Sequence, residues 1–169
     1  MSRYVVVTSG TSPFVQDISM GPHQLKADEP TVSGGGDAGP GPYDLLLAAL
    51  GACTGMTLRM YATRKAWPLR TVQVRLTHEK VRAEDCASCK SKEGMLDVIK
   101  REILLDGDLS HDQRQRLVEI ANRCPVHQTL TSGIRIETWT PPANASEGAD
   151  EEIEHASTES GHAHNRVYR

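Results

Sequence analysis

Two cysteines carry the most specific chemical signal in the chain. Cys53 lies in GACTG, inside the apolar stretch PYDLLLAALGACTGMTL, and Cys124 lies in NRCPVH at the end of a charged amphipathic segment. A cysteine is nucleophilic only as the thiolate, so each site turns on what would hold a negative sulfur. Cys53 falls about three turns inside a long helix, too deep for the helix N-terminus to help. It needs a cation, and Arg59, Arg64, Arg123, His127 or a partner chain are the candidate sources; without one it is a small core hydrophobe beside Ala49, Leu50, Met56 and Thr57. Cys124 is better placed. Pro125 disfavours helical geometry at the residue before it and suits the first position of a new helix, PVHQTLT. Cys124 then has the N-cap position, where free backbone N–H groups favour a thiolate, with His127 three residues on. The alternative is a helix terminus that happens to carry a cysteine.

The other two of the four cysteines form Cys86-Ala-Ser-Cys89 in a polar loop. A C-x-x-C pair is redox-active, half of a zinc site, or an exposed non-essential pair. A complete zinc site needs two more ligands, with His78 or a symmetry-related pair as the sources. His162-x-His164 is a weak metal motif. No P-loop, H-E-x-x-H, Rossmann glycine pattern or Ser-His-Asp order is present, and Gly34-Gly35-Gly36 reads as a flexible loop.

The elements that must position these thiols follow from patterning. RYVVVT (3–8), PFVQDISM (13–20) and HQLKA (23–27) read as short antiparallel strands, the last two joined by Gly21-Pro22. Residues 28–42, DEPTVSGGGDAGPGP, form a loop that winds into a helix start. From Tyr43 to Ala66 the residues are strong helix formers, giving a helix of about 36 Å that Pro68 ends. Its first half is apolar on every side, which requires cover on every side. One small sheet covers one side only, so a second subunit is expected, with two such helices at the centre of a dimer. LRTVQVRLTHEKV (69–81) alternates as a strand, while MLDVIKREILLDG (95–107) fits strand or helix. Ser110 and Gln113 form a capping box opening the helix HDQRQRLVEIANR. GIRIETW (133–139) alternates as a final strand.

The chain has 169 residues, a formal charge of −3 and a pI near 6.2, which argues against a nucleic-acid footprint. The uncharged run Leu45 to Leu58 is shorter than the roughly 20 residues of a membrane span, so no membrane role and a cytoplasmic location are expected. Residues 1–140 make one domain. Residues 141–169 are Ala/Ser/Glu-rich and too poor in apolar residues to fold alone, so they read as a disordered tail.

DEP…GGGDAGPGPYDLLLAALGACTGMTLRMYA, followed by LSHDQRQRLVEIANRCPVHQTL, strongly resembles the OsmC/Ohr family of osmotically inducible and organic-hydroperoxide-resistance proteins. The resemblance covers roughly residues 1–139 and is nearest the branch whose second motif reads C-P-V-H. It implies an α+β fold: an intertwined homodimer in which curved antiparallel sheets wrap long central helices, with active sites at the subunit interface. It implies a thiol peroxidase in which Cys53 is peroxidatic and Cys124 resolving, the resulting disulfide being reduced by an external dithiol such as a lipoylated protein. No bound cofactor or metal is implied. Where the family places a glutamate directly after the proline that precedes the central helix, this chain has Tyr43 and then Asp44. The family's N-terminal-loop arginine has no counterpart between Tyr4 and Arg59. Asp44 and His127 are therefore the expected supporting residues. The alternative is a non-catalytic relative, a redox sensor or a binder of small apolar ligands in the dimer-interface cavity.

Overall fold

A computed structural model describes residues 4–82, 84 and 94–140. The tail and the Cys86/Cys89 pair lie outside the described residues. Three short strands come first, β1 (Val6–Ser9), β2 (Gln16–Met20) and β3 (His23–Ala27), forming an antiparallel meander in the order β1-β2-β3. Met20 pairs His23 across the Gly21-Pro22 turn, where Gly21 takes a positive φ of 62°. A positive φ at the first turn position is what a type II′ hairpin demands. The first two strands are shorter than the alternation predicts.

The loop that follows is organised around one carboxylate. Asp28 is 2% exposed, and its oxygens accept from the backbone N–H groups of Glu29 (2.9 Å), Gly36 (2.9 Å) and Ala38 (3.0 Å). Three N–H donors hold its pKa below the ordinary carboxylate value, the Ala38 bond contributing most. The fold back onto Asp28 is so tight that a Cβ at Gly35 would lie 1.9 Å from the Glu29 carbonyl oxygen. Gly41 then caps α1 (Pro42–Arg64), donating its N–H to Asp44 Oδ2 at 3.0 Å.

α1 ends two residues before the sequence predicts. Lys65 is the C-cap and Ala66 turns left-handed at φ 53°, with Ala66 N–H donating to Thr63 O and Trp67 N–H to Ala62 O. That is a Schellman ending built on alanine rather than glycine. It sends the chain directly into β4 (Leu69–Arg82), which pairs antiparallel with β5 (Met95–Gly107) in a long hairpin. The ambiguous 95–107 segment is thus a strand. Thirteen residues matched to a neighbouring strand satisfy its backbone, which a helix there would leave β4 without.

α2 (His111–Ala121) starts at the expected capping box: Gln113 N–H donates to Ser110 Oγ at 3.2 Å, and Ser110 N–H to Gln113 Oε1 at 2.9 Å. α3 (Pro125–Ser132) follows after a sharp corner, with Cys124 as its N-cap. Residues 133–139 form no strand, contrary to the alternation of Ile134 and Ile136. Among the described residues they pair with no strand, and Ile136 and Trp139 stay exposed.

The core gathers around the second half of α1: Leu58 and Ala62 pack with Leu69, Leu109, Leu117, Ile120 and Ala121. Only four residues of α1 are buried, Leu50, Thr54, Leu58 and Ala62. The helix is long and apolar enough to cross a membrane by length and composition, yet β4, α2 and α3 all pack on it, as on the core helix of a folded domain. Met56 and Met60, one turn apart, remain 66% and 68% exposed. The expectation that one chain leaves this helix partly uncovered matches what is seen.

Candidate functional site

The site is a corner where α1, α3 and β5 meet. Gly51 lets α1 come close to the hairpin: a Cβ there would lie 2.9 Å from Leu76 Cδ1 on β4. The close approach brings Thr54 against Arg101 of β5, whose register partner is Leu76. The turn between α2 and α3 then swings Cys124 onto the same stretch of α1. Both thiols are free, with Cys53 half-buried and Cys124 fully buried. They are close enough for each to shift the other's titration.

The two sulfurs are in unequal surroundings. Burial pushes the Cys53 thiol up, and its hydrogen bond to Cys124 pushes it further, against a smaller opposing pull from the Val126 N–H. Burial also acts to raise Cys124. The Cys53 thiol, the N–H groups of His127 and Val126 and the Thr54 hydroxyl together outweigh it, so Cys124 falls below the ordinary thiol value. The two thiols titrate as a pair rather than as separate residues. Cys124 takes the expected N-cap position, its φ of −56° and ψ of 127° placing it just outside α3, with no capping hydrogen bond from its side chain.

The cations named from sequence are elsewhere. Arg59 donates to the carbonyls of Leu69 (2.5 Å) and Arg70 (2.7 Å), tying α1 to the start of β4. Arg64 lies over the Tyr61 ring, and Arg123 is exposed. His127 is half-buried, and burial with nearby Arg101 lowers its pKa, so it is neutral at neutral pH. Asp44 caps its own helix, nine residues and about 13 Å of helix rise from Cys53. Cys53, Cys124 and His127 are brought together; Asp44 is not.

The residue that sequence reasoning missed is Arg101. Its Nη1 donates to Thr54 Oγ1 at 3.1 Å and to Ala121 O at 3.3 Å, and its Nη2 to Asn122 Oδ1 at 2.8 Å. The signal was present in the strand: Arg101 shares the inward parity of Ile99, Ile103 and Leu105, where an apolar residue is expected. His78, considered as a zinc ligand, is engaged otherwise. Its Nε2 meets Asp97 Oδ1 at 2.7 Å, and Tyr43 stacks on its ring at 4.2 Å.

The profile of the family described as OsmC-like protein matches residues 34–138, a span that includes both thiols, Arg101 and the Asp44 cap. The chain belongs to the OsmC-like family. Solved structures agree on the fold. An OsmC-like protein from Mycoplasma pneumoniae superposes with a TM-score of 0.62 at 18% identity, covering 79% of this chain and 89% of the other. The organic hydroperoxide resistance protein OsmC from Legionella pneumophila gives 0.58 at 17% identity, covering 81% and 94%. The organic hydroperoxide resistance protein OhrB of Bacillus subtilis gives 0.56 at 17% identity, covering 81% and 96%. No curated relative matches the sequence. The α+β OsmC-like fold expected from the motifs is therefore the fold of this chain.

An open groove of about 580 Å³ lies between α1 and β4, lined by Leu47, Ala48, Gly51, Ala52, Val72 and Leu76 among others. Neither thiol lines it. Residues 48, 51, 52 and 55 share one face of α1, and Cys53 points away from it at 100° per residue.

Proposed function

We propose that this OsmC-like protein is a thiol peroxidase that reduces organic hydroperoxides, working as a soluble cytoplasmic homodimer. The observation that carries the reading is the pair itself: two free thiols from α1 and α3, in mutual reach, one half-buried and one enclosed. Cys53, the accessible member, attacks the O–O bond and becomes a sulfenic acid as the alcohol leaves. Cys124 displaces hydroxide from that sulfur to form a Cys53–Cys124 disulfide. An external dithiol, a lipoylated protein being one candidate, restores the pair by exchange. The organic hydroperoxide resistance proteins among the structural neighbours support this redox role, and the apolar helix around Cys53 suits an organic rather than an inorganic peroxide. The homodimer is supported by the uncovered stripe of α1 at Met56 and Met60.

The test is stopped-flow consumption of cumene hydroperoxide by reduced protein, beside Cys53→Ser. Rapid consumption lost in the variant supports the reading; slow consumption indifferent to Cys53 overturns it.

The α1–β4 groove favours a second reading, in which the protein binds a small apolar ligand. Such binding would survive Cys53→Ser, since the groove excludes that residue.

A further inference from the structure

Arg101 spends its hydrogen bonds on three uncharged acceptors. Its Nη1 donates to Thr54 Oγ1 at 3.1 Å and to Ala121 O at 3.3 Å, and its Nη2 to Asn122 Oδ1 at 2.8 Å. With no carboxylate among these acceptors, the guanidinium serves by its shape, a planar fork whose donors point in fixed directions. What the fork joins are the two segments that carry the thiols. Thr54 follows Cys53 directly on α1 and is wholly buried. Ala121 and Asn122 are the last residue and the C-cap of α2, just before Cys124. The Ala121 carbonyl also accepts the Cys124 backbone N–H at 3.3 Å, so one oxygen receives both the fork and the chain at Cys124. The apolar core shared by α1 and α2 takes in Leu58 and Ala62, one and two turns beyond Thr54. At Thr54 a polar tie takes over.

We propose that Arg101 is a positioning residue that clamps the corner bearing Cys124 to the turn of α1 bearing Cys53, and so sets how readily the two thiols close into a disulfide. The inference rests on the proposed pairing of Cys53 with Cys124. A disulfide needs its two Cα atoms within about 4.4–6.8 Å of each other, so a small shift of the corner decides closure. The consequence is a competition at oxidised Cys53. In one branch the Cys53 sulfenic acid meets the Cys124 thiol: the S–S bond forms, the S–O bond breaks, and the displaced hydroxyl leaves with the thiol proton as water. In the other branch a second hydroperoxide oxidises the sulfenic acid to the sulfinic acid, its O–O bond breaking and an alcohol leaving. The clamp favours the first branch by raising the effective concentration of one thiol at the other. The same quantity sets how stable the disulfide is against an external dithiol.

The experiment uses the full-length protein and three variants, Arg101→Met, Arg101→Lys and Asn122→Ala. Each is equilibrated in dithiothreitol redox buffers of graded ratio, without peroxide, and the Cys53–Cys124 bridge is quantified by alkylation and site-resolved mass spectrometry. Arg101→Met should lower the equilibrium constant for the bridge by about tenfold, since loss of preorganisation costs at least that much, which raises the potential by about 30 mV. Arg101→Lys keeps the charge but not the fork, and should lose nearly as much. Asn122→Ala frees one arm of the fork at an exposed position and should lose less, in the same direction. A wild-type constant in Arg101→Lys would assign the effect to charge and overturn the clamp. A wild-type constant in Asn122→Ala with native circular dichroism overturns it even if Arg101→Met misfolds. So does the absence of any bridge in wild type across the buffers. In excess cumene hydroperoxide the ratio of sulfinic acid to disulfide at Cys53 should rise about tenfold in Arg101→Met, and an unchanged ratio in protein that reacts overturns the clamp. If the constants move as expected but wild-type protein ignores the hydroperoxide, the clamp stands and the peroxidase reading fails.

Discussion

Asp28 and the thiol pair are stabilised by different means. Asp28 is surrounded by backbone: three N–H groups of its own loop converge on one carboxylate, and no side chain takes part. The thiol pair draws on side chains from separate elements, Cys53 and Thr54 on α1 and Arg101 on β5, besides two N–H groups of α3. A carboxylate locked by its own loop is a structural clasp, closed to exchange and insensitive to the rest of the fold. A sulfur whose neighbours come from α1 and α3 depends on how those helices pack, and its charge can be moved. The difference separates a centre that shapes the chain from one suited to a reaction.

Breaking each centre in turn sharpens that contrast, and the largest effect belongs to the thiols. Cys53→Ser should abolish hydroperoxide consumption while leaving the melting temperature close to wild type, since an oxygen replaces a half-buried sulfur; kinetics and a thermal melt on the same sample check both. Asp28→Asn should do the opposite. It keeps the shape but weakens three acceptor bonds, so the melting temperature should fall by several degrees with single-turnover rates at low temperature unchanged.

Acid should distinguish the centres again. The folded pKa of Asp28 is depressed, so its contribution to stability is fully present above the ordinary carboxylate pKa and is lost as pH falls through the lower folded value. Acid unfolding of Asp28→Asn should therefore lack part of the wild-type loss in that window. The thiol pair reacts only as a thiolate, so activity should fall on acidification whether or not Asp28 is intact. The smallest effect is expected at Asp44→Asn. Removing charge from a helix N-terminus costs about 0.5 kcal/mol, and a rate close to wild type would agree with Asp44 capping α1 rather than serving the thiols.

The same two centres mark how far the sequence could be read. The long helix, the Ser110 capping box and the N-cap position of Cys124 follow from local rules, because Pro125, Ser110 and Gln113 act within one turn of themselves. The pairing of Cys53 with Cys124 came from resemblance, not from spacing, since it depends on a corner between α2 and α3. Arg101 stayed hidden for a related reason. Residues 95–107 have apolar side chains at both helical and strand spacings, and only strand parity shows that Arg101 points inward with Ile99, Ile103 and Leu105. The alternation at 133–139 misled for the converse reason: a strand exists only where a neighbour pairs with it, and pattern alone does not supply the pairing. Asp28 was passed over as loop composition because its three donors come from up to ten residues away.

The central claim is that Cys53 and Cys124 are one redox unit. It is tested most directly by treating reduced protein with one equivalent of cumene hydroperoxide and mapping its disulfides by mass spectrometry. A Cys53–Cys124 bridge, formed stoichiometrically and reversed by a dithiol, is the result predicted. Oxidation of Cys53 to sulfinic acid with Cys124 still a free thiol would contradict it.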